Sequence, residues 1–253
     1  MIDAVKVSSG AAPAARRAAL FLFLVLALVT FVGLGTWQVY RLSWKLDLIA
    51  RTDARVHAPA TAAPARAEWP RIDKQDHEYL HVTLQGSYLP GRDTLVQAST
   101  DLGTGWWVLT PLRAADGSFV LVNRGFVPDA QRLLYEPPVP GETRVTGLLR
   151  ISEPHGRWPR TNDPAAGHWY SRDVAAIAQA RGLVPASAVA PYFVDAEGPG
   201  LRAAQWPAGG LTVVHFPNNH LSYLLTWYGM AALTLLALRI VWRNEHRPGD
   251  GHR

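Results

Sequence analysis

Two places in the sequence carry side chains whose types and spacing could do chemistry. The first is His77-Glu78-Tyr79-Leu80-His81. It fits H-E-x-x-H, in which two imidazoles one helical turn apart hold zinc and the glutamate polarises the metal-bound water. Its surroundings read as a strand instead. Tyr79, His81 and Thr83 alternate with Leu80, Val82 and Leu84 until Gly86. In a strand the two imidazoles would stand about 13 Å apart, too far for one ion. A membrane-tethered zinc hydrolase is therefore a minor alternative, and no zinc is expected. Asp101-Leu-Gly-Thr-Gly105 is like a phosphate loop of actin-like ATPases, but no second such loop accompanies it. The sequence has no G-x-S-x-G elbow and no Walker loop. With no cysteine, disulfides, thiolate metal sites and thiol catalysis are excluded.

The second place is Pro217-Asn-Asn-His-Leu-Ser-Tyr-Leu-Leu-Thr-Trp-Tyr-Gly-Met230, where a histidine stands at the mouth of an apolar stretch. His220, Tyr223 and Trp227 follow helical spacing, so they share a face. Trp37, Tyr40, Arg41 and Trp44 do the same near the end of an earlier apolar stretch, with Lys45 beside them. If the two stretches meet, they make an aromatic slot with an imidazole and two cations at its polar rim. Such a slot suits a flat apolar ligand with an acidic edge and a central metal: imidazole ligates haem iron, aromatic faces accept a porphyrin, and cations meet propionates. The plainer reading is an interfacial belt of Tyr and Trp with snorkelling cations, and an asparagine at position 218 or 219 capping a helix.

The elements that must position these residues are legible in the hydropathy. The chain has 253 residues, of which 48% are hydrophobic and 18% charged, and the apolar excess lies at the two ends. Residues 19–37 carry no charge, and residues 221–242 carry only Arg239. Each is long enough to cross about 30 Å of hydrocarbon as a helix. No small-x-small cleavage site follows the first run, which argues against a removable signal peptide. Transmembrane helices are thus expected over 18–39 and 217–242, with tails at 1–17 and 243–253 and a juxtamembrane segment and linker over 40–70. Basic residues on the tail sides, Lys6, Arg16 and Arg17 before the first run and Arg243 and Arg247 after the second, favour cytoplasmic termini. The long intervening segment then lies outside, in a bacterial periplasm. The net charge of +5 is spread along the chain rather than gathered in a basic stripe, so it suits a lipid bilayer and no nucleic acid.

Residues 71–216 read as a mainly antiparallel β domain, a partly closed barrel with about one packed helix. Strand patterns fall at 79–89, 93–98, 105–113, 118–127, 143–151, 191–197 and 210–216, and a helix at 171–182 ends at Gly182. The fold class is thus membrane α+β, two transmembrane helices flanking an extracytoplasmic β domain.

Gly33-Leu-Gly-Thr-Trp-Gln-Val-Tyr-Arg-Leu-Ser-Trp-Lys-Leu-Asp-Leu-Ile49, Leu121-Val-Asn-Arg-Gly-Phe-Val-Pro128, His168-Trp-Tyr-Ser-Arg-Asp-Val174 and Asn218-Asn-His-Leu-Ser-Tyr-Leu-Leu-Thr-Trp-Tyr-Gly229 occur in this order. Together they resemble the signature blocks of the Surfeit-locus cytochrome c oxidase assembly family, also called Shy-type proteins. The resemblance implies an assembly factor rather than an enzyme, serving subunit I of a haem–copper oxidase, with haem A synthase as a further partner. It implies haem a as the cofactor and His220 as the ligand to its iron. Tyr223, Trp227, Trp37, Arg41 and Lys45 would surround it. A purely structural chaperone for the oxidase subunit is the alternative.

Overall fold

The computed structural model describes residues 11–138, 140–154, 159–198, 206–212 and 218–245. In chain order its elements are α1 (Ala11–Val56), β1 (Thr61–Ala62), α2 (Lys74–His77), β2 (His81–Tyr88), β3 (Thr94–Thr100), β4 (Gly103–Arg113), β5 (Phe119–Pro128), β6 (Glu142–Ile151), α3 (Val174–Ala180), β7 (Val189–Ala196) and α4 (His220–Glu245). Short 3-10 segments occur at Arg66–Arg71, Asp129–Gln131 and Ala186–Ala188. Two compact units result: Met1–Ala50 with His215–Arg253, and Arg51–Val214.

The first unit contains two helices long and apolar enough to cross a membrane. α1 is longer than the expected span. After Gly35 no glycine or proline interrupts the chain until Pro59, so nothing stops the helix before Val56. Its 46 residues extend to about 69 Å, roughly twice what hydrocarbon requires. The segment expected as juxtamembrane linker from residue 40 is therefore helical as far as Val56. Less exposed residues recur on α4 at His220, Leu224, Trp227, Ala231, Thr234 and Leu238, alternating steps of four and three. The same rhythm runs along α1 through Leu24, Leu28, Phe31, Gly35 and Gln38. A period near 3.5 is that of two helices pairing along one seam. Contacts Phe31–Trp227 and Gln38–His220 set the pair antiparallel.

The second unit is a β barrel. β2, β6, β7, β5 and β4 follow one another around the sheet, and β4 returns to β2 through Ser87↔Arg113 and Tyr88↔Leu112. Closure leaves these five strands no free edge within the ring. β3 extends β4 outward, and β1 lies on β2. Most pairings are antiparallel, but β5–β7 and β1–β2 are parallel. Because side chains alternate faces, β7 sends Tyr192 and Val194 to one core and Phe193 to another. The first core holds Val82, Leu84, Leu112, Val122, Val145 and Leu149. The second packs Val96, Leu109, Leu121 and Trp169 beneath α3, through Val174 and Ile177.

The remainder of the expected linker is also ordered and belongs to this unit. Ala63, Trp69 and Ile72 pack on the first core, and the Pro64 carbonyl accepts from Trp69 Nε1 and the Tyr192 hydroxyl. Its alanines and prolines carry no period, so their part in packing could not be read locally. α3 is shorter than the expected 171–182: Asp173 accepts from Ala176 N at its start, and Gly182, at φ 65°, follows its end. Of the strand expected at 210–216, residues 210–212 are not in strand, and 213–216 lie outside the described residues.

Candidate functional site

Asn218 Oδ1 accepts from His220 N at 3.3 Å and so caps the start of α4, making His220 its first residue. The imidazole of this half-buried residue lies against α1, where His220 Nδ1 is 2.8 Å from Gln38 Oε1. Gln38 is only 7% exposed, an amide enclosed in an otherwise apolar seam. Two turns deeper Trp227 stacks on Phe31, with ring centroids 5.9 Å apart. Beside it Tyr228 shares a hydrogen bond with Thr36 and covers Gly35.

The other expected site residues lie differently. Trp37 is 54% exposed and Tyr223 55% exposed, each away from the seam on its own helix. Arg41 is exposed, and its guanidinium stacks 4.8 Å from the centre of the Trp44 ring. Lys45 is half-buried on α1. The face of α1 that meets α4 is thus Phe31, Gly35 and Gln38, not Trp37, Arg41 and Trp44. Gly35 lets the helices approach where bulkier rings would hold them apart. Residue spacing alone did not single out Gln38. Its signal was a lone amide within an apolar helix, since a polar group at that depth must find a partner.

A carboxamide oxygen only accepts, so a hydrogen bond to it requires hydrogen on Nδ1. That arrangement leaves Nε2, the opposite ring nitrogen, able to bond a metal, and among the described residues Nε2 has no other partner. The donor set therefore fits a haem iron through one oriented imidazole, with the Phe31–Trp227 stack two turns deeper on the same pair of helices.

A second polar constellation is built into the barrel, and the sequence did not reveal it. Arg150 Nε donates to Glu78 at 2.9 Å and its Nη1 to Asp195 at 2.8 Å. Arg172 donates to the other Asp195 oxygen at 3.2 Å and, through Nε and Nη2, to Glu153. Asn123 Nδ2 and the Thr212 hydroxyl also donate to Asp195. Burial works against the Arg150 charge, but Asp195, Tyr79 and Glu78 outweigh it and raise its pKa. Burial likewise opposes the Glu153 charge, yet Arg172 holds that carboxyl below its ordinary range. The arginines stack on Tyr79 and Phe193 respectively. A cleft of about 360 Å³ beside them is lined by Tyr79, Trp107, Arg150, Arg172 and Thr212. Because both guanidiniums are engaged by carboxylates, the cluster ties β6, β7 and the segment before α3 together. The only hint in sequence was a charge inside each apolar strand, Arg150 and Asp195.

His77-Glu78-Tyr79-Leu80-His81 is part of the same construction. It does not form one helix: His77 ends α2, Tyr79 takes φ 64°, and His81 opens β2. His77 Nδ1 accepts from Asp73 N, Glu78 meets Arg150 and Ile151 N, and His81 meets Ala58 O and Glu197. The three side chains thus face three different sets of partners.

Two helices long and apolar enough to cross a membrane, one before and one after a closed β-barrel domain in the sequence, define the class of protein to which this chain belongs. The chain matches the family model described as SURF1 family over residues 25–232 and belongs to that family. It is 35% identical to Surfeit locus protein 1 of Mus musculus over 84% of this chain and 72% of the relative. To the SURF1-like protein of Monosiga brevicollis it is 34% identical, over 90% of this chain and 89% of the relative. To Surfeit locus protein 1 of Homo sapiens it is also 34% identical, over 83% and 73% respectively.

The signature blocks now have structural roles. In Asn123-Arg-Gly-Phe126, Gly125 stands at φ 135°, and a Cβ there would lie 2.2 Å from the Ala208 carbonyl oxygen. Asn123 accepts from Gly125 N while donating to Asp195. In His168-Trp-Tyr-Ser-Arg-Asp173, Trp169 fills the second core, Arg172 enters the ion network and Asp173 caps α3.

Proposed function

We propose that this chain is a membrane-anchored assembly factor for haem–copper cytochrome c oxidase, holding haem a at the outer membrane interface for transfer to subunit I. The single observation that carries the reading is His220, at the first turn of an apolar helix, with Nδ1 engaged and Nε2 without a partner among the described residues. Family membership supports the assembly role; the ligand role rests on this geometry and on the family resemblance of the block around His220.

The two apolar helices cross a bacterial inner membrane with both termini in the cytoplasm and the barrel domain in the periplasm. His220 would hold the iron, and Trp227 would supply aromatic surface on the same face of α4. Tyr223, Trp37, Arg41 and Lys45, which lie outside the α1–α4 seam, would meet the haem only where it extends beyond that seam, and haem A synthase would act upstream. When bound, haem would add an absorbing, redox-active iron to a chain that has no turnover of its own.

The test is the absorption spectrum of protein purified from cells that make haem a. Wild-type protein should carry a Soret band, and His220→Ala should lose or strongly shift it while still inserting in the membrane. If His220→Ala keeps both a normal spectrum and normal oxidase levels, haem is not held there. A purely structural chaperone of the oxidase subunit would then replace this reading.

A further inference from the structure

We infer that Gln38 is the positioning residue of the α1–α4 seam, which fixes His220 in the tautomer with hydrogen on Nδ1 and so reserves Nε2 for a metal. The inference rests on the proposed ligand role only for its purpose; the tautomer itself is a property of the metal-free protein.

Three observations carry it. Gln38 Oε1 is 2.8 Å from His220 Nδ1. Gln38 is buried in the seam, where an amide without a partner would be costly and water is scarce. The flanking contacts Phe31–Trp227 and Thr36–Tyr228 fix the register that brings residues 38 and 220 together. An amide hydrogen-bonded to the non-ligating nitrogen of a metal-binding imidazole sets the ring's tautomer and orientation. Without Gln38 the ring would sample both tautomers and turn about its bond to the chain.

The experiment uses full-length, ¹⁵N-labelled protein in lipid nanodiscs without haem, with His220→Ala identifying the ring signals. In its neutral form the wild-type ring should carry hydrogen on Nδ1 and none on Nε2. Gln38→Glu keeps an acceptor oxygen and should keep hydrogen on Nδ1. Gln38→Leu, close in volume but without an acceptor, should give mixed tautomers at unchanged helical content. With haem added, Gln38→Leu should bind about 10- to 100-fold more weakly, and Gln38→Glu should bind more tightly than Gln38→Leu. A wild-type ring protonated on Nε2, or a Gln38→Leu spectrum identical to wild type, overturns the inference whatever haem does. If wild-type protein shows the Nδ1–H tautomer but never binds haem, the assignment of Gln38 stands and the haem reading fails.

Discussion

Glu78 receives Arg150 Nε on one carboxylate oxygen and Ile151 N on the other. Glu78→Gln must turn its amide NH2 toward one of these donors, and should destabilise the barrel by about 1–3 kcal/mol. It should leave oxidase assembly intact, because the proposed site is on another unit. Arg150→Met leaves Glu78 without its buried cation and Asp195 with Arg172 alone, and should cost more, about 3–5 kcal/mol. Thermal melting of the purified variants, alongside oxidase levels in cells, checks both; loss of assembly in Glu78→Gln at normal protein level would revive a catalytic role for the motif. Tyrosines report on the same barrel. Burial is the first cause raising Tyr88, Tyr135 and Tyr192 from 10.0 to about 12, with Asp93 adding to it at Tyr135. A raised pKa means the folded state favours the protonated hydroxyl. That stabilisation is complete below pH 10 and is lost as pH rises toward about 12. An alkaline titration should show Tyr88, Tyr135 and Tyr192 ionising late, together with loss of the barrel's circular-dichroism signal. Early ionisation of these three would contradict the packing.

At the scale of elements, α1 and α4 depend on a close approach at Gly35. A Cβ there would meet the Tyr228 ring at 2.9 Å, whereas one at Gly33 meets nothing within 4 Å. Gly35→Ala is relieved by a small turn of that ring, but Gly35→Leu must part the helices. Gly35→Leu should therefore disturb the His220 ring signals as Gln38→Leu does, and Gly33→Ala should leave them unchanged. Equal effects at the two glycines would argue against the seam. On the barrel, Gly125 combines a left-handed φ with a neighbouring carbonyl, so Gly125→Ala should lower the melting temperature even though only a methyl group is added.

For the whole molecule, the basic flanks of the two apolar helices put both termini on the cytoplasmic side in the proposed arrangement. A reporter active only in the cytoplasm should be silent when fused at Gly141, which lies in the barrel unit, and active when fused after Arg253. Activity at Gly141 would invert the proposed topology.

The sequence by itself determined whatever depends on local pattern. Uninterrupted apolar runs marked both long helices. Strand patterns marked β2 to β7, and Gly182 marked the end of α3 because a helix closes readily on a left-handed residue. Helical spacing also put His220 and Trp227 on one face of α4. The tertiary structure alone decided which faces meet. The bulky stripe of Trp37, Arg41 and Trp44 looked the better partner for His220, but helices pack closest where a small residue lies, so Gly35 turned Gln38 toward the imidazole. A partly closed barrel was expected, but the choice of β2 and β4 to close it, the parallel β5–β7 pair and the joining of Glu78, Arg150, Glu153, Arg172 and Asp195 were likewise invisible. These contacts link residues up to 117 positions apart, as Glu78 and Asp195 are through Arg150 (195 − 78 = 117), and no local period encodes such a separation.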